Sequence, residues 1–118
     1  MTRTYTVGMV SGINSNKNIK IKFLVDSGSD NTTIKEDNFK KLGTPIKRYE
    51  RVETGNGFVT FPVIYIKIKI PKQNEAIAQA WIVGNNTEEV LGITVLEAIG
   101  LSIDTKNGKL VKRKLLMY

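Results

Sequence analysis

Apolar and polar positions alternate with a period of two along most of this chain, which predicts strands rather than helices. "TYTVGMV" (4–10) consists largely of strand formers, and "INSNKN" (13–18) is turn chemistry. "IKIKFLV" (19–25) alternates and then becomes wholly apolar at Phe23, Leu24 and Val25, as a strand does when it passes from the surface into a core. "FVTFPVIYIKIKI" (58–70) reads as a long strand; Pro62 cannot donate to a ladder, so it predicts an edge or a bend there. "AIAQAWIVG" (76–84) reads as a further strand with Trp81 partly buried. "LSIDTKNGKLV" (101–111) sets Asn107-Gly108 between two apolar stretches, a hairpin signal.

Only two short helices suggest themselves. In "TIKEDNFKKLG" (33–43), Thr33 and Glu36 have capping-box spacing and Gly43 is a C-terminal stop. In "TVLEAIG" (94–100), Thr94 and Glu97 have the same spacing and Gly100 closes the segment. The pattern predicts a mostly β fold, closed or sandwich-like, with one or two short helices. With 118 residues and no internal linker, residues 1–118 form one domain around one core.

Composition narrows the chemistry. The chain has no cysteine and no histidine, which removes disulfides, thiolate metal sites, Ser-His and Cys-His catalysis and the usual zinc sites. Acid–base work falls to Asp, Glu, Lys or Tyr. The net charge of +7 raises nucleic acid as a partner. However, Lys20, Lys22, Lys67 and Lys69 are spread along strands, and no aromatic-plus-basic stripe marks a nucleic-acid face. A solvated basic surface accounts for them better. No apolar run approaches the ~18 residues of a membrane span, and "MTRTYTVGM" lacks the apolar centre of a signal peptide. A cytoplasmic protein without membrane contact is the expectation.

One position stands out. Asp26 follows the apolar Phe23-Leu24-Val25 and precedes Ser27-Gly28. An aspartate ending a strand and capping a turn is the plainest account. Phosphotransfer of the haloacid-dehalogenase kind needs a second Asp where Gly28 stands. A calcium loop needs its glycine at the sixth position, whereas "DSGSDNTT" has it at the third. No glycine-rich phosphate loop with lysine is present.

"FLVDSGSDNTTI" resembles the active-site segment of the retropepsin-like aspartic proteases, apolar-apolar-Asp-Ser/Thr-Gly-Ala/Ser. "IKEDNFKKLG" is similar to the short helix after that motif in prokaryotic and retrotransposon members. "VETGNGFV" resembles the flap hairpin, and "EEVLGITVLEAIG" the second family element, two apolar residues and a glycine followed by a short helix; the whole resemblance covers roughly residues 5 to 104.

The resemblance implies a closed β-barrel of the acid protease type, with half a site per chain. Two copies set their Asp26 carboxylates around one water. Like charges that close share one proton, and the pair activates the water to hydrolyse a peptide bond; aspartic proteases are the standard example of this effect. A homodimer acting on a protein or peptide substrate follows, with no cofactor and no metal. Gly28 lets backbone approach the acid, and the resemblance assigns Ser27 to a hydrogen bond across the dimer. Ser29 either reaches the Asp26 carboxylate or fills the turn. The resemblance gives Asp30 and Asn31 to the substrate main chain; a structural role in the loop or the dimer contact is the alternative. The resemblance makes Thr54, Gly55, Asn56 and Gly57 the flap tip, with an ordinary hairpin loop as the alternative, and Phe58 either covers the substrate or packs under the flap.

Val90, Leu91 and Gly92 support the Asp26 loop from beneath, near Ile34 and Leu96. The tail "KLVKRKLLMY" is basic and amphipathic, and Leu115, Leu116 and Met117 point to an interface there. A retropepsin-like module that dimerises or binds peptide without cutting is the alternative to an aspartic endopeptidase.

Overall fold

The computed structural model describes residues 3–104 and 106–112. Its elements run β1 (Thr4–Gly12), β2 (Ile19–Asp26), β3 (Thr32–Lys35), α1 (Glu36–Leu42), β4 (Arg48–Thr54), β5 (Gly57–Lys69), β6 (Glu75–Val83), β7 (Val90–Gly92), α2 (Ile93–Ile99), β8 (Leu101–Asp104) and β9 (Lys109–Lys112). The main sheet has the order β3-β6-β5-β1-β2-β7, with β4 paired to the outer half of β5. Its two ends meet through side chains. The Val90 N–H donates to the Thr33 hydroxyl at 2.9 Å, and the Gly92 N–H donates to the Thr32 hydroxyl at 3.0 Å. A mostly β, nearly closed barrel is the result, as the sequence predicts.

Alternation builds the core. Ile21, Phe23 and Val25 of β2 point inward while Lys20 and Lys22 face water. Ile64, Ile66 and Ile68 of β5 are fully buried between Tyr65, Lys67 and Lys69. They meet Val10, Ile34, Leu91 and Leu96 in one cluster. Pro62 lies opposite Tyr49 of β4, and pairing to β6 begins only at Val63. The proline therefore sits where β5 pairs with β4 alone, so its missing N–H takes no bond from the β5–β6 ladder.

The last two strands form a sheet of their own, β8 against β9. Gly108 takes a left-handed conformation (φ 68°) and its N–H donates to the Asp104 carbonyl at 2.7 Å. Ile103 and Leu110 pack on the core while Val111 is exposed. Leu115, Leu116 and Met117 lie outside the described residues.

Both helices end as the sequence predicts, on left-handed Gly43 and Gly100 (φ 64° and 77°). Both expected capping boxes are absent. Thr33 belongs to β3, and Lys35 is the N-cap of α1 with no side-chain cap bond. The first N–H groups of α1 are met from the β6–β7 connection instead, Lys35 by the Glu89 carboxylate (3.1 Å) and Asp37 by the Asn85 side chain (3.0 Å). Gly92 is the N-cap of α2, so Thr94 falls inside the helix and its hydroxyl donates to the Asp30 carbonyl at 3.1 Å.

Candidate active site

The apolar end of β2 fixes where Asp26 stands. Val25 is in the core, so the next residue faces outward, and in the single chain the Asp26 carboxylate is exposed. The chain then turns at once: the Ser29 N–H donates to the Asp26 carbonyl at 3.1 Å. The Gly28 N–H donates to Asp26 Oδ1 at 2.9 Å. A Cβ at Gly28 would lie 3.3 Å from that same oxygen, so a side chain there crowds the carboxylate the backbone is holding. Ser27 is exposed beside it.

Ser29 does not serve the acid. Its hydroxyl donates to the Asn31 carbonyl at 3.0 Å and accepts from the Asn31 N–H at 3.3 Å. Of the two roles open to Ser29, this local pair fits the one that fills the turn; it spans two residues and needs no change of backbone direction. Ser29 therefore rigidifies the turn.

The loop is clamped from beneath by β7 and α2. Asp26 and Gly92 are partners in the parallel β2–β7 ladder. The Ile93 N–H donates to the Ser29 carbonyl at 2.7 Å, and Thr94 holds the Asp30 carbonyl. Gly92 is required by space. A Cβ there would stand 2.8 Å from the Asn31 carbonyl oxygen and 2.9 Å from that of Ser29. Leu91 is fully buried, with Ile34 and Leu96 in the same cluster. Val90, Leu91 and Gly92 thus lie under the Asp26 loop.

Glu89 is a support that the motifs do not announce. Its carbonyl accepts from the Leu24 N–H at 2.8 Å, two residues before Asp26. Its buried carboxylate accepts from the Asn38 side chain at 2.7 Å as well as from the Lys35 N–H. One residue thereby ties β2, β7 and α1 together, and its buried charge is hydrogen-bonded as burial demands. Nearby, Glu88 accepts from the Tyr5 hydroxyl (2.9 Å) and from Arg3 (3.0 Å). The Tyr5 hydrogen bond and the Glu88 charge hold the Arg3 guanidinium above its ordinary value. All three side chains are exposed, so the group contributes little stability.

β4 and β5 form the hairpin expected of a flap, with Thr54 opposite Gly57 and Gly55-Asn56 between them. The Thr54 hydroxyl donates to the Gly57 carbonyl at 2.9 Å and accepts from the Asn56 N–H at 3.2 Å. Gly57 has φ 112°, a conformation that a side chain strains. The pairing runs without a bulge from Thr54–Gly57 to Arg48–Val63. Phe58 therefore shares the face of β5 that carries Ile64, Ile66 and Ile68. It does not pack under the hairpin. Its ring is 58% exposed and lies 3.8 Å beneath the Arg51 guanidinium, a cation–π contact. The opposite face is closed by Phe61 on Trp81 and by Arg48 bonded to Glu50 and Gln79.

Among the described residues no group of three or more His, Cys, Asp or Glu is placed to hold a metal ion. No helix among them is long and apolar enough to cross a membrane.

No curated protein matches the chain. A family model does, that of the gag-polyprotein aspartyl proteases, over residues 12–98. The matched span runs from the end of β1 through the Asp26 loop, the β4–β5 hairpin and β7 to most of α2. The chain belongs to this retropepsin-like aspartyl protease family.

Proposed function

We propose that the chain is an aspartic endopeptidase that works as a homodimer. The observation that carries the reading is the Asp26 loop. An exposed carboxylate receives a backbone N–H at 2.9 Å in a turn clamped by β7 and α2, within a chain of an aspartyl protease family. One chain supplies one such carboxylate, and the chemistry needs two. Paired across a two-fold axis, the two Asp26 groups hold one proton between them. The ionised one takes a proton from the bound water, whose oxygen attacks the scissile carbonyl carbon. The protonated one gives its proton to the carbonyl oxygen. The tetrahedral diol then collapses, the C–N bond breaks, and the amine leaves with a proton returned through the pair. The β4–β5 hairpin, with Phe58 and Arg51 exposed on one face, covers the peptide.

The β8–β9 hairpin supports the same reading as a dimer surface. It is a two-stranded sheet with Val111 exposed, and the Thr4 hydroxyl bonds the Gly108 carbonyl at its tip. Thr4 in turn pairs with Val25, the neighbour of Asp26. The tip of the hairpin is thereby tied to the β1–β2 pair that carries Asp26.

Digestion of an unfolded protein across acidic to neutral pH tests the proposal. The parent cuts and Asp26→Asn does not, while both melt at the same temperature, because Asn keeps the shape but cannot exchange the proton. A variant that cuts at the parent rate overturns the assignment of Asp26. A folded parent that binds peptide and never cuts it leaves the non-cutting module in its place.

A further inference from the structure

The register of the sheet gathers four lysines that the sequence keeps apart. Met9 of β1 lies opposite Lys20 of β2 on one side and Lys69 of β5 on the other. Val7 lies opposite Lys22, and Ser11 opposite Lys67. The core takes Ile21 and Phe23 from β2 and Ile66 and Ile68 from β5, so all four lysines project from the outer face. By strand geometry Lys67, Lys69, Lys20 and Lys22 form a diagonal stripe, with steps of roughly 7, 10 and 7 Å between their Cα atoms. Among the described residues none of the four is in an ion pair. Lys69 bonds the Gln73 carbonyl, and the Lys22 ammonium lies 4.8 Å from the centre of the Tyr5 ring. Glu75, opposite Lys69, is the one acidic residue that the ladders set directly against the stripe.

Four ammoniums without counter-charges on one face attract a polyanion. Val7 and Tyr5 are 37% and 40% exposed beside them, which adds apolar surface on which bases can lie. The Lys22 end of the stripe opens into a cavity of about 380 Å3, lined by Tyr5, Lys20 and Lys22 of this face and by Lys35, Glu88 and Glu89 beyond it. Carboxylates there repel the head groups of an anionic membrane but accept the amino groups of bases. The face is made by β2, β1, β5 and β6 side by side, about 15 Å across, which is wider than the roughly 12 Å major groove of a duplex. We infer that this face binds single-stranded nucleic acid, with phosphates on the four lysines and bases on Val7 and in the cavity. The inference stands apart from the peptidase reading, because none of these side chains is assigned to the peptidase site.

The test titrates fluorescent single-stranded RNA and DNA oligonucleotides with the full chain over a range of salt. Affinity falls roughly fifty-fold between about 50 and about 200 mM salt, the log–log slope of about 3 that four neutralised phosphates give on a single strand. Each of Lys20→Gln, Lys22→Gln, Lys67→Gln and Lys69→Gln lowers that slope by about 0.7. The four together bring it below about 1 and remove most of the affinity. Lys40→Gln, Lys41→Gln, Lys47→Gln and Lys106→Gln combined take the same charge from elsewhere on the surface, and that variant keeps the parent slope. An equal loss in the two combined variants would show that net charge alone is at work and overturns the assignment. No binding by the parent at low salt overturns it as well. So does duplex DNA, or a vesicle containing phosphatidylserine, held through the four lysines more tightly than the single strands.

Discussion

The Gly92 N–H and the buried Thr32 hydroxyl, 3.0 Å apart, join the two ends of the sheet beside the Asp26 loop. Gly92 is also the ladder partner of Asp26, so this bond sets how firmly the acid is held. Thr32→Val keeps the volume but leaves the Gly92 N–H buried without an acceptor, at a cost of about 1–3 kcal/mol. Thr32→Ser keeps the acceptor and loses less. Thermal unfolding of the two variants checks the order, and a Thr32→Ser variant that melts below Thr32→Val would show that the methyl matters more than the hydroxyl at this position.

Gly92→Ala attacks the same junction by crowding. The added Cβ meets two carbonyl oxygens, of Asn31 and Ser29, at under 3 Å. Both belong to backbone, so neither can swing aside as a side chain would. Overpacking of this kind costs typically about 1–3 kcal/mol, and relief comes only by displacing the loop that carries Asp26. The expected outcome is a lower melting temperature together with a fall in kcat larger than the lost fraction of folded protein explains. A variant with parent kcat at a temperature where it is fully folded would show that the loop tolerates the shift.

What the sequence makes legible here is local. The run Phe23-Leu24-Val25 fixes the direction in which Asp26 points, because a strand alternates. Gly43 and Gly100 end their helices because the left-handed conformation is a property of one residue. The capping boxes fail for the opposite reason. Thr33 and Thr94 have the right spacing, but strand β3 claims the first and the Asp30 carbonyl claims the second. Both competitors are set by tertiary contacts that spacing does not encode. The role of Glu89 is likewise invisible until β7, α1 and β2 meet.

Ser29 supplies a prediction about pH. A pair of carboxylates sharing one proton gives a bell-shaped rate profile on the acidic side of neutrality. A hydroxyl donating to Asp26 would favour the ionised form, and its loss would move the bell toward neutral pH. The Ser29 hydroxyl donates to the Asn31 carbonyl instead. Ser29→Ala therefore leaves both limbs of the profile where they are and lowers stability by about 1 kcal/mol through the lost turn bonds. A shift of the acidic limb to higher pH would show that Ser29 turns to the carboxylate when the pair of acids assembles.

The dimer proposal is tested by dilution. If each chain supplies half of the site, specific activity falls as concentration drops below the dimer dissociation constant, and ligands that bind the assembled site oppose the fall. The β8–β9 hairpin offers a place to perturb this without touching the acid. Val111 is exposed on β9, whereas its neighbour Leu110 packs on the core. If this hairpin forms the dimer contact, Val111→Asp replaces an apolar contact with a carboxylate whose desolvation opposes association. In the isolated chain the residue faces water, so the fold itself loses little. Sedimentation should show the variant dissociating at concentrations where the parent is paired, with activity restored at high protein concentration. A variant that dissociates and loses activity at the same concentrations as the parent would place the dimer contact elsewhere on the chain. Full activity from a parent that sediments as a monomer would remove the shared site altogether.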